Sequence, residues 1–241
     1  MNACALSALS FAPVQAGRAF DDISTQIRQA MASGVLKPGT RLPPERTLAA
    51  QFGVSRNTLR EALRSLESSG VLQLRRGAHA GCYICDSSGR GVATGLLDMY
   101  KLGGVTPGQL TDARILVETA IVRAACENCT PDDLRELRAN VAKAVKLHKE
   151  GRVDERLQAN LDFHRLLARA THNPLLVMVM EAILDVMQAF VGTIGSYDAS
   201  FLFASRRRFI ALLASRDGEG AAGEMEKSLR QLQKRYLSRL P

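Results

Sequence analysis

The stretch VSRNTLREALRSLESSG, residues 54–70, has the residue types of a helix with two unlike faces. Ser55 suits the N-cap position, where a side-chain oxygen accepts a hydrogen bond from a free backbone N–H, and Gly70 suits the left-handed residue that follows a helix. At about 100° per residue, the apolar side chains fall into one narrow stripe. That stripe consists of Leu59, Ala62, Leu63 and Leu66.

The other face of this predicted helix has the chemistry of an anion-binding surface. It is formed by Arg56, Asn57, Arg60 and Arg64. The planar guanidinium group pairs well with phosphate oxygens and with the edge of guanine. Glu61 and Glu67 lie elsewhere on the helix, so we expect that they do not neutralise the arginine row. A merely solvated charged face is the alternative interpretation.

The flanking sequence predicts a DNA-binding fold around this helix. A short helix, ERTLAAQF, ends at Gly53, and a tight turn then leads into the arginine-bearing helix. Two helices joined in this way form a helix-turn-helix, whose second helix enters the DNA major groove. The segment VLQLRRGAHAGCYI then alternates around a turn centred on Gly77, as a β-hairpin wing does. We therefore expect a winged helix-turn-helix over residues 20–86.

Composition agrees with an anionic partner. The 241 residues carry a formal net charge of +8 with a pI near 9.6, and basic proteins favour anions. The positive charge is concentrated in seven arginines: Arg41, Arg46, Arg56, Arg60, Arg64, Arg75 and Arg76. The sequence shows no complete metal-ligand set, nucleophile elbow or phosphate-binding glycine loop, so we do not expect an enzyme.

The remaining chain predicts a mainly α protein with two domains. We expect a flexible leader at residues 1–19, a linker at 87–95 within DSSGRGVATG, and an all-α bundle of about six helices at 96–241. No apolar run of about 18 residues was identified, so we expect no transmembrane helix, no membrane partner and a cytoplasmic location.

The sequence has five cysteines, and four of them form two C-x-x-C pairs. The five are Cys4, Cys82, Cys85, Cys126 and Cys129. The pair spacing is compatible with a four-thiolate zinc site or a redox pair. However, GCYIC reads as a strand, where residues three apart point to opposite faces, and CENC straddles a helix end. We favour small buried residues over both alternatives.

The segment GVLKPGTRLPPERTLAAQFGVSRNTLREALRSLESSGVLQLRRG resembles the N-terminal domain of GntR-family transcriptional regulators. The resemblance implies that Arg46 contacts the DNA backbone and that Arg76 and Gly77 at the wing tip reach the minor groove. Groove and phosphate contacts are implied for Ser55, Arg56, Asn57, Thr58 and Arg60. Arg56 is the preferred guanine reader. Arg64, farther along the helix, is expected to be solvated.

The segments DARILVETAIVRAA and NLDFHRLLARATHNPLL resemble the FCD effector domain of the FadR-like GntR subgroup. This resemblance implies a domain that encloses an acidic metabolite, often beside a metal held by one Asp and three His. In the family, the Asp and the first His form a D-x-x-x-H pattern on one helix, and the other two His lie on the last two helices.

The sequence departs from that metal-binding pattern. Asn160 stands at the Asp position before His164. Arg206 stands where the second His belongs, or Arg207 if the register slips by one, and Ser228 stands in the third place. A guanidinium offers no lone pair to a metal. We therefore expect no cofactor metal; Asn160 and His164 would be its ligands if one bound.

Two arginines suggest what replaces the metal. Arg206 and Arg114 could point into a pocket and pair directly with a carboxylate, which favours an organic acid as effector. The effector site would then comprise Arg114, Asn160, His164, Arg206 and Ser228. In the alternative, Arg206 belongs to a solvated basic run and Arg114 pairs with Glu118 at i,i+4.

The expected function is a ligand-controlled, sequence-specific DNA-binding regulator, most often a repressor in this family. Two copies of a helix-turn-helix would bind a short palindromic operator as a homodimer. A constitutive or architectural DNA binder whose helical domain only dimerises is the alternative.

Replacement of Arg56 by Ala tests the helix assignment. We expect DNA affinity to fall, because a bidentate arginine–guanine pair is removed. Discrimination against the wrong base at that one base pair should fall by about 1–3 kcal/mol. Fluorescence anisotropy on operator and scrambled duplexes measures both quantities. Wild-type operator affinity in this variant would contradict the assignment.

Overall fold

The computed structural model divides the chain into two compact units, residues 1–92 and 93–241. The structure describes residues 11–12, 19–75, 77, 80–85, 90–194 and 200–239. Ten helices and one two-stranded sheet account for most of them. The expected mainly α fold, with a helix-turn-helix before a helical domain, is confirmed.

The first unit is a winged helix-turn-helix. Its elements are α1 (Ala19–Ala32), α2 (Glu45–Phe52), α3 (Arg56–Ser68), β1 (Leu72–Arg75) and β2 (Gly81–Ile84). Gly53 ends α2 with a φ of 67°, a left-handed conformation that glycine adopts without steric cost. The apolar stripe of α3, with Leu59 and Leu63, packs in one core with Phe52 of α2 and Ile23 of α1.

The wing is a short antiparallel hairpin tied to the loop before α2. Leu72 pairs with Ile84 and Arg75 with Gly81. Arg41 forms an isolated β-bridge with Tyr83, and its Nη2 donates to the carbonyl of Ala80 at 2.6 Å. These bonds attach the hairpin to the body of the first unit on the side opposite its connection to α3.

The leader is not flexible throughout, contrary to expectation. The ring of Phe11 stacks on that of Phe52 with centroids 4.5 Å apart, and Phe11 is only 7% exposed. The Gln26 side chain also accepts from the N–H of Ala12 at 2.9 Å and donates to its carbonyl at 3.1 Å. Burial of an aromatic ring offsets the entropy of ordering these two residues. Residues 1–10 and 13–18 lie outside the described part.

The predicted linker at 87–95 is helical from residue 90 onward. Helix α4 runs over Arg90–Lys101 despite Gly91 and Gly95. Glycine disfavours a helix by about 1 kcal/mol per residue, but tertiary packing overrides this weak preference. Leu97 and Tyr100 of α4 supply that packing against the core of the second unit. Residues 86–89 lie outside the described part.

Six further helices build the second unit. They are α5 (Pro107–Asn128), α6 (Pro131–Lys149), α7 (Val153–Arg169), α8 (Pro174–Ile194), α9 (Phe201–Ala214) and α10 (Gly218–Leu237). Capping boxes start α5 and α6, where Thr106 pairs with Gln109 and Thr130 with Asp133. These reciprocal bonds satisfy backbone N–H groups that have no partner within the helix. The predicted bundle of about six helices is thus present.

The expectation that the chain has no apolar run of about 18 residues is wrong, because helix α8 contains one. Residues Pro174–Thr193 are long and apolar enough to cross a membrane by length and composition, with a mean hydropathy of 1.9. Glu181 and Asp185 interrupt the run without lowering this average enough. The helix contributes Leu184, Met187 and Phe190 to the core of the second unit, which accounts for its apolar character.

Replacement of Phe11 by Ala tests the ordered part of the leader. We expect the free energy of unfolding to fall by roughly 3 kcal/mol, because truncating a buried Phe leaves a cavity. Urea denaturation of the purified protein measures this change. Phe20→Ala is the matched control, since Phe20 is 42% exposed. Equal effects of the two substitutions would contradict the stacking of Phe11.

Candidate functional site

The first unit presents an open polar face on α3. Ser55 caps the helix, accepting from the backbone N–H of Thr58 at 3.1 Å, while its hydroxyl lies 2.9 Å from that of Thr58. Arg56 and Asn57 follow on the first turn, and both are exposed. Arg46 is exposed on α2. The predicted contact residues on these two helices are therefore accessible to a large anionic ligand.

The arginine row is not left unneutralised, contrary to expectation. Nε of Arg60 donates to Oε2 of Glu45 at 2.7 Å, and Nη1 of Arg64 donates to Oε1 of Glu61 at 3.2 Å. The helical projection of α3 missed the first pair because Glu45 belongs to α2. Ion pairs this exposed contribute about 0–1 kcal/mol, so a phosphate can compete for the same guanidinium groups.

An arginine-lined groove lies between α3 and the wing. It has a volume of about 560 Å³, and its arginines are Arg41, Arg60, Arg64 and Arg75. Four elements (α2, α3, β1 and β2) and the loop before α2 supply the groove's lining, so sequence spacing alone could not reveal it. Gly77 has a φ of 87° at the hairpin turn. The predicted minor-groove residue Arg76 lies outside the described residues.

The second unit contains a partly open cavity of about 280 Å³. Its polar lining includes four predicted effector residues: Arg114 of α5, Asn160 and His164 of α7, and Arg206 of α9. Leucines and a valine form the apolar wall: Leu157, Leu161, Val191, Leu202 and Leu232. Ser228, the fifth predicted residue, lies outside this lining; it borders a neighbouring void of about 10 Å³ together with His164 and Arg206.

Arg206 is buried, which excludes its interpretation as part of a solvated basic run. It is 4% exposed, whereas the neighbouring Arg207 and Arg208 are exposed. Its Nη1 donates to Oδ1 of Asn160 at 2.9 Å and its Nη2 donates to the Asn160 carbonyl at 3.2 Å. The guanidinium also lies 4.3 Å from the ring centroid of Phe163, a cation–π contact. Arg206, not Arg207, is therefore the side chain that faces the cavity.

Arg114 joins a buried cluster with Glu118 and His164. Its Nε donates to Oε2 of Glu118 at 3.1 Å, and its Nη2 contacts Nε2 of His164 at 2.9 Å. His164 Nδ1 is in close contact with Oε1 of Glu118. Arg114 thus lines the cavity and also forms the i,i+4 pair with Glu118, so that pair does not remove it from the cavity.

The Arg114 contact determines the tautomer of His164. A guanidinium has only donors, so Nε2 of His164 must accept the hydrogen bond and cannot carry a proton. The proton of the neutral imidazole is then on Nδ1 and is donated to Glu118. Burial is the largest factor in lowering the pKa of His164, to about 4, while Glu118 opposes that shift.

Glu118 remains ionised although it is fully buried. Burial alone would raise the pKa of its carboxyl group. The charge that His164 carries at low pH, the charge of Arg114 and the hydrogen bonds of both outweigh burial and lower that pKa to about 2. Because His164 is neutral at physiological pH, the persistent partner charge is that of Arg114. An ionised carboxylate with bonded partners at both oxygens therefore holds Arg114 and His164 in place.

One polar atom of the site has no partner. Nδ2 of Asn160 is buried and makes no hydrogen bond to the described part of the chain, although Oδ1 of the same amide binds Arg206. This bond defines the orientation of the amide, because a guanidinium cannot accept a hydrogen bond. The unused donor therefore belongs to Nδ2.

The residues at the family's metal position do not fit a metal ion. The coordinating electron pair of His164 Nε2 faces Arg114, and Asn160 Oδ1 faces Arg206. Across the described ranges, no three His, Cys, Asp or Glu side chains assemble into a group that could hold a metal. The site thus presents hydrogen-bond donors, the N–H groups of an amide and of guanidinium groups, where a metal would need electron-pair donors.

The described cysteines are buried free thiols. Cys82 and Cys85 lie in the first unit, and Cys126 and Cys129 in the second. Burial raises the pKa of Cys82 to about 12, with Glu67 and Glu45 adding to the shift, and burial also raises the pKa of Cys126 and Cys129. These properties agree with small apolar residues, the interpretation favoured from the sequence.

Sequence reasoning missed the buried position of Glu118 and several cavity residues. Asp154, Gln158, Gln188 and Tyr236 also line the cavity. The sequence indicates Glu118 only as the i,i+4 partner of Arg114, and its side chain is 0% exposed in the structure. Its spacing of four residues from Arg114 was the one available signal.

Replacement of Glu118 by Ala tests the buried cluster. We expect the free energy of unfolding to fall by about 3–5 kcal/mol, because Arg114 loses its carboxylate in a buried setting. Chemical denaturation followed by circular dichroism measures the loss. Glu219→Ala removes an exposed ion pair with Arg123 and is expected to leave the free energy of unfolding nearly unchanged, because solvent screens such a pair. A similarly small effect at Glu118 would contradict the assigned cluster.

Both units match known protein families. Residues 20–84 match the family described as "Bacterial regulatory proteins, gntR family", and residues 109–231 match the FCD domain. The "Uxu operon transcriptional regulator" of Escherichia coli K12 is 33% identical over 162 residues, which cover 67% of this chain and 62% of that protein. The "HTH-type transcriptional repressor NanR" of Enterobacter sp. strain 638 is 29% identical over 178 residues, 72% and 66% of the respective lengths.

A solved structure has the same fold. Streptococcus agalactiae GntR superposes with a TM-score of 0.65 at 21% identity, covering 89% of this chain and 99% of that one. The matched regulators agree with the expectation that the protein is not an enzyme. The segment matched in the first of these relatives spans 62% of that relative's length. The chain belongs to the GntR family of bacterial transcriptional regulators and carries an FCD domain in addition to its winged helix-turn-helix.

Proposed function

We propose that this protein is a ligand-responsive repressor whose DNA affinity is controlled by a small organic acid. One observation carries the proposal: a GntR-type chain with an exposed arginine row also holds a cavity lined by two buried guanidinium groups, those of Arg114 and Arg206. Buried charge is costly and concentrates at functional sites. Such a cavity supplies a means of control that DNA binding alone does not need.

DNA recognition is assigned to α3, α2 and the wing. Arg56 and Asn57 would read base edges in the major groove, with Arg56 pairing to guanine. Ser55, Thr58 and Arg60 would add groove and phosphate contacts, and Arg46 would contact the backbone. Arg76 and Gly77 would enter the minor groove. A single reading head contacts few base pairs, so we infer a homodimer on a short palindromic operator.

The effector site is assigned to the cavity of the helical unit. A volume of about 280 Å³ is at the small end of ligand pockets, which suits a compact metabolite. Guanidinium–carboxylate hydrogen bonds are short and charge-assisted, so an organic acid is the favoured class. Ser228, beside Arg206 in the adjoining void, is assigned a supporting position.

Control follows from linkage between the two equilibria. An effector that binds more tightly to the DNA-free form lowers operator affinity by the ratio of its two dissociation constants. The relative named NanR is a repressor, which supports the same direction of control for this chain. Because it acts on DNA, the protein is assigned to the cytoplasm of a bacterium, without a membrane partner.

Selection of bound fragments from genomic DNA tests this function. We expect an inverted repeat to be enriched, a dimer in sedimentation of the free protein, and release of the selected duplex by a subset of small organic acids. Anisotropy titrations measure the release, with Arg56→Ala as the control that weakens DNA binding while leaving the cavity intact.

Two other outcomes would change the assignment. Tight DNA binding that no organic acid alters would favour a constitutive or architectural binder. An acid that tightens operator binding would assign the protein as a repressor that needs a co-effector.

A further inference from the structure

We propose that the effector cavity binds a monocarboxylate directly through the Asn160 amide and the guanidinium of Arg206, without a metal ion. This inference rests on the proposed function and specifies the chemistry of its effector site. It departs from the family pattern of one Asp and three His, and it is carried by hydrogen-bond geometry within this chain.

The first observation concerns the one histidine kept from that pattern. Metal binding needs the lone pair of a ring nitrogen, and the two nitrogens of His164 are both engaged. Nε2 accepts from Arg114 at 2.9 Å, and Nδ1 is in close contact with Glu118. A metal at Nε2 would have to displace a guanidinium that is itself held by Glu118 at 3.1 Å.

The second observation concerns Asn160. Its Oδ1 is the metal-binding atom of an asparagine, yet it accepts from Arg206 at 2.9 Å. The positive charge of Arg206 lies directly at the point where a cation would coordinate, and like charges repel strongly in a buried setting. The cation of the family site is thus replaced by a side chain that carries its own positive charge.

The third observation indicates what the cavity accepts. Asn160 is only 7% exposed, and its Nδ2 donor is buried without a partner. An unused buried donor costs about 1–3 kcal/mol, so the site is stabilised by any acceptor atom placed there. A carboxylate oxygen meets this need and pairs with the neighbouring guanidinium as well.

The far end of the cavity limits the charge of the ligand. Asp154 also lines the cavity, six residues before Asn160 on α7, a separation of about 9 Å along the helix axis. Asp154 is exposed, so solvent weakens its repulsion of a second carboxylate at that end, whereas a hydroxyl group can donate to it directly. The lining therefore favours a hydroxylated monocarboxylate over a dicarboxylate.

Metal binding to the full-length protein tests the first half of the proposal. We expect chelator-treated protein to show no stoichiometric uptake of Zn²⁺, Ni²⁺ or Mn²⁺ in calorimetric titration, and no difference between wild type and His164→Ala. One equivalent of metal that is lost in His164→Ala would overturn the metal-free site. This result does not depend on knowing the effector.

Carboxylate binding in EDTA tests the second half. Gluconate is the probe because its hydroxylated chain extends far beyond the carboxylate, gluconamide is its uncharged counterpart, and glucarate represents dicarboxylates. We expect gluconate to bind, glucarate to bind more weakly and gluconamide to fail. Arg206→Met is expected to weaken binding about tenfold or more, since a charge-assisted hydrogen bond is lost. Arg207→Met, an exposed neighbour, is the matched control and should leave affinity unchanged.

Asn160→Asp separates the two kinds of site, because it restores the D-x-x-x-H pattern. We expect it to weaken carboxylate binding by charge repulsion and to gain no metal; thermal unfolding checks that it is folded. Carboxylate binding that requires added metal, or is enhanced with metal in Asn160→Asp, would overturn the inference alone. No probe binding under either condition would instead count against the carboxylate effector, and so against the proposed function.

Discussion

A carboxylate without solvent exposure, that of Glu118, constrains the helical unit. An ionised group in such a place must be fully hydrogen-bonded, since removing it from water costs several kcal/mol. Arg114 and His164 provide these bonds from α5 and α7. Their rotamers are thereby determined, and so is the tautomer of His164. The polar side of the cavity is consequently rigid before any ligand arrives, which reduces the entropy lost on binding.

The two units handle positive charge in opposite ways. On α3, Arg60 and Arg64 stay exposed, and the side chains of their partners Glu45 and Glu61 are 33% and 68% exposed. In the cavity, Arg206 is buried against an amide, a carbonyl and the face of Phe163. Exposed guanidinium groups suit a large polyanion, whose binding is fast and weakens as the salt concentration rises. Buried ones suit a small ligand held by few atoms in low dielectric.

Local signals in the sequence predict much of the fold. Ser55 and Gly53 mark the helix-turn-helix, and Thr106 and Thr130 begin helices at positions that capping rules identify. These features depend on residues a few positions apart, whose interactions follow from helical geometry. The bundle class and the wing follow from the same kind of evidence.

The remaining features depend on contacts between distant segments. Phe11 stacks on Phe52, and Arg60 pairs with Glu45, across separations that no local pattern spans. Side chains from α5, α7 and α9 line the cavity. The prediction that Asn160 and Arg206 share one site therefore came from the family resemblance and not from sequence spacing. Burial of Glu118 escaped prediction because the i,i+4 pair on α5 has the same spacing whether it is inside or outside the protein.

The ion pairs of Arg60 and Arg64 have a consequence for the search along the genome. Under the proposed function, a DNA phosphate that pairs with Arg60 displaces Glu45, and one that approached Arg64 would displace Glu61. A correctly placed phosphate compensates for that exchange, whereas a poorly placed one leaves both carboxylates near the DNA as repelling charges. At about 0–1 kcal/mol for each pair, the penalty is small, but it applies at each of the millions of competing sites. Under the proposed function, these acidic residues weaken the attraction of α3 to every duplex, and base contacts at the operator supply the difference.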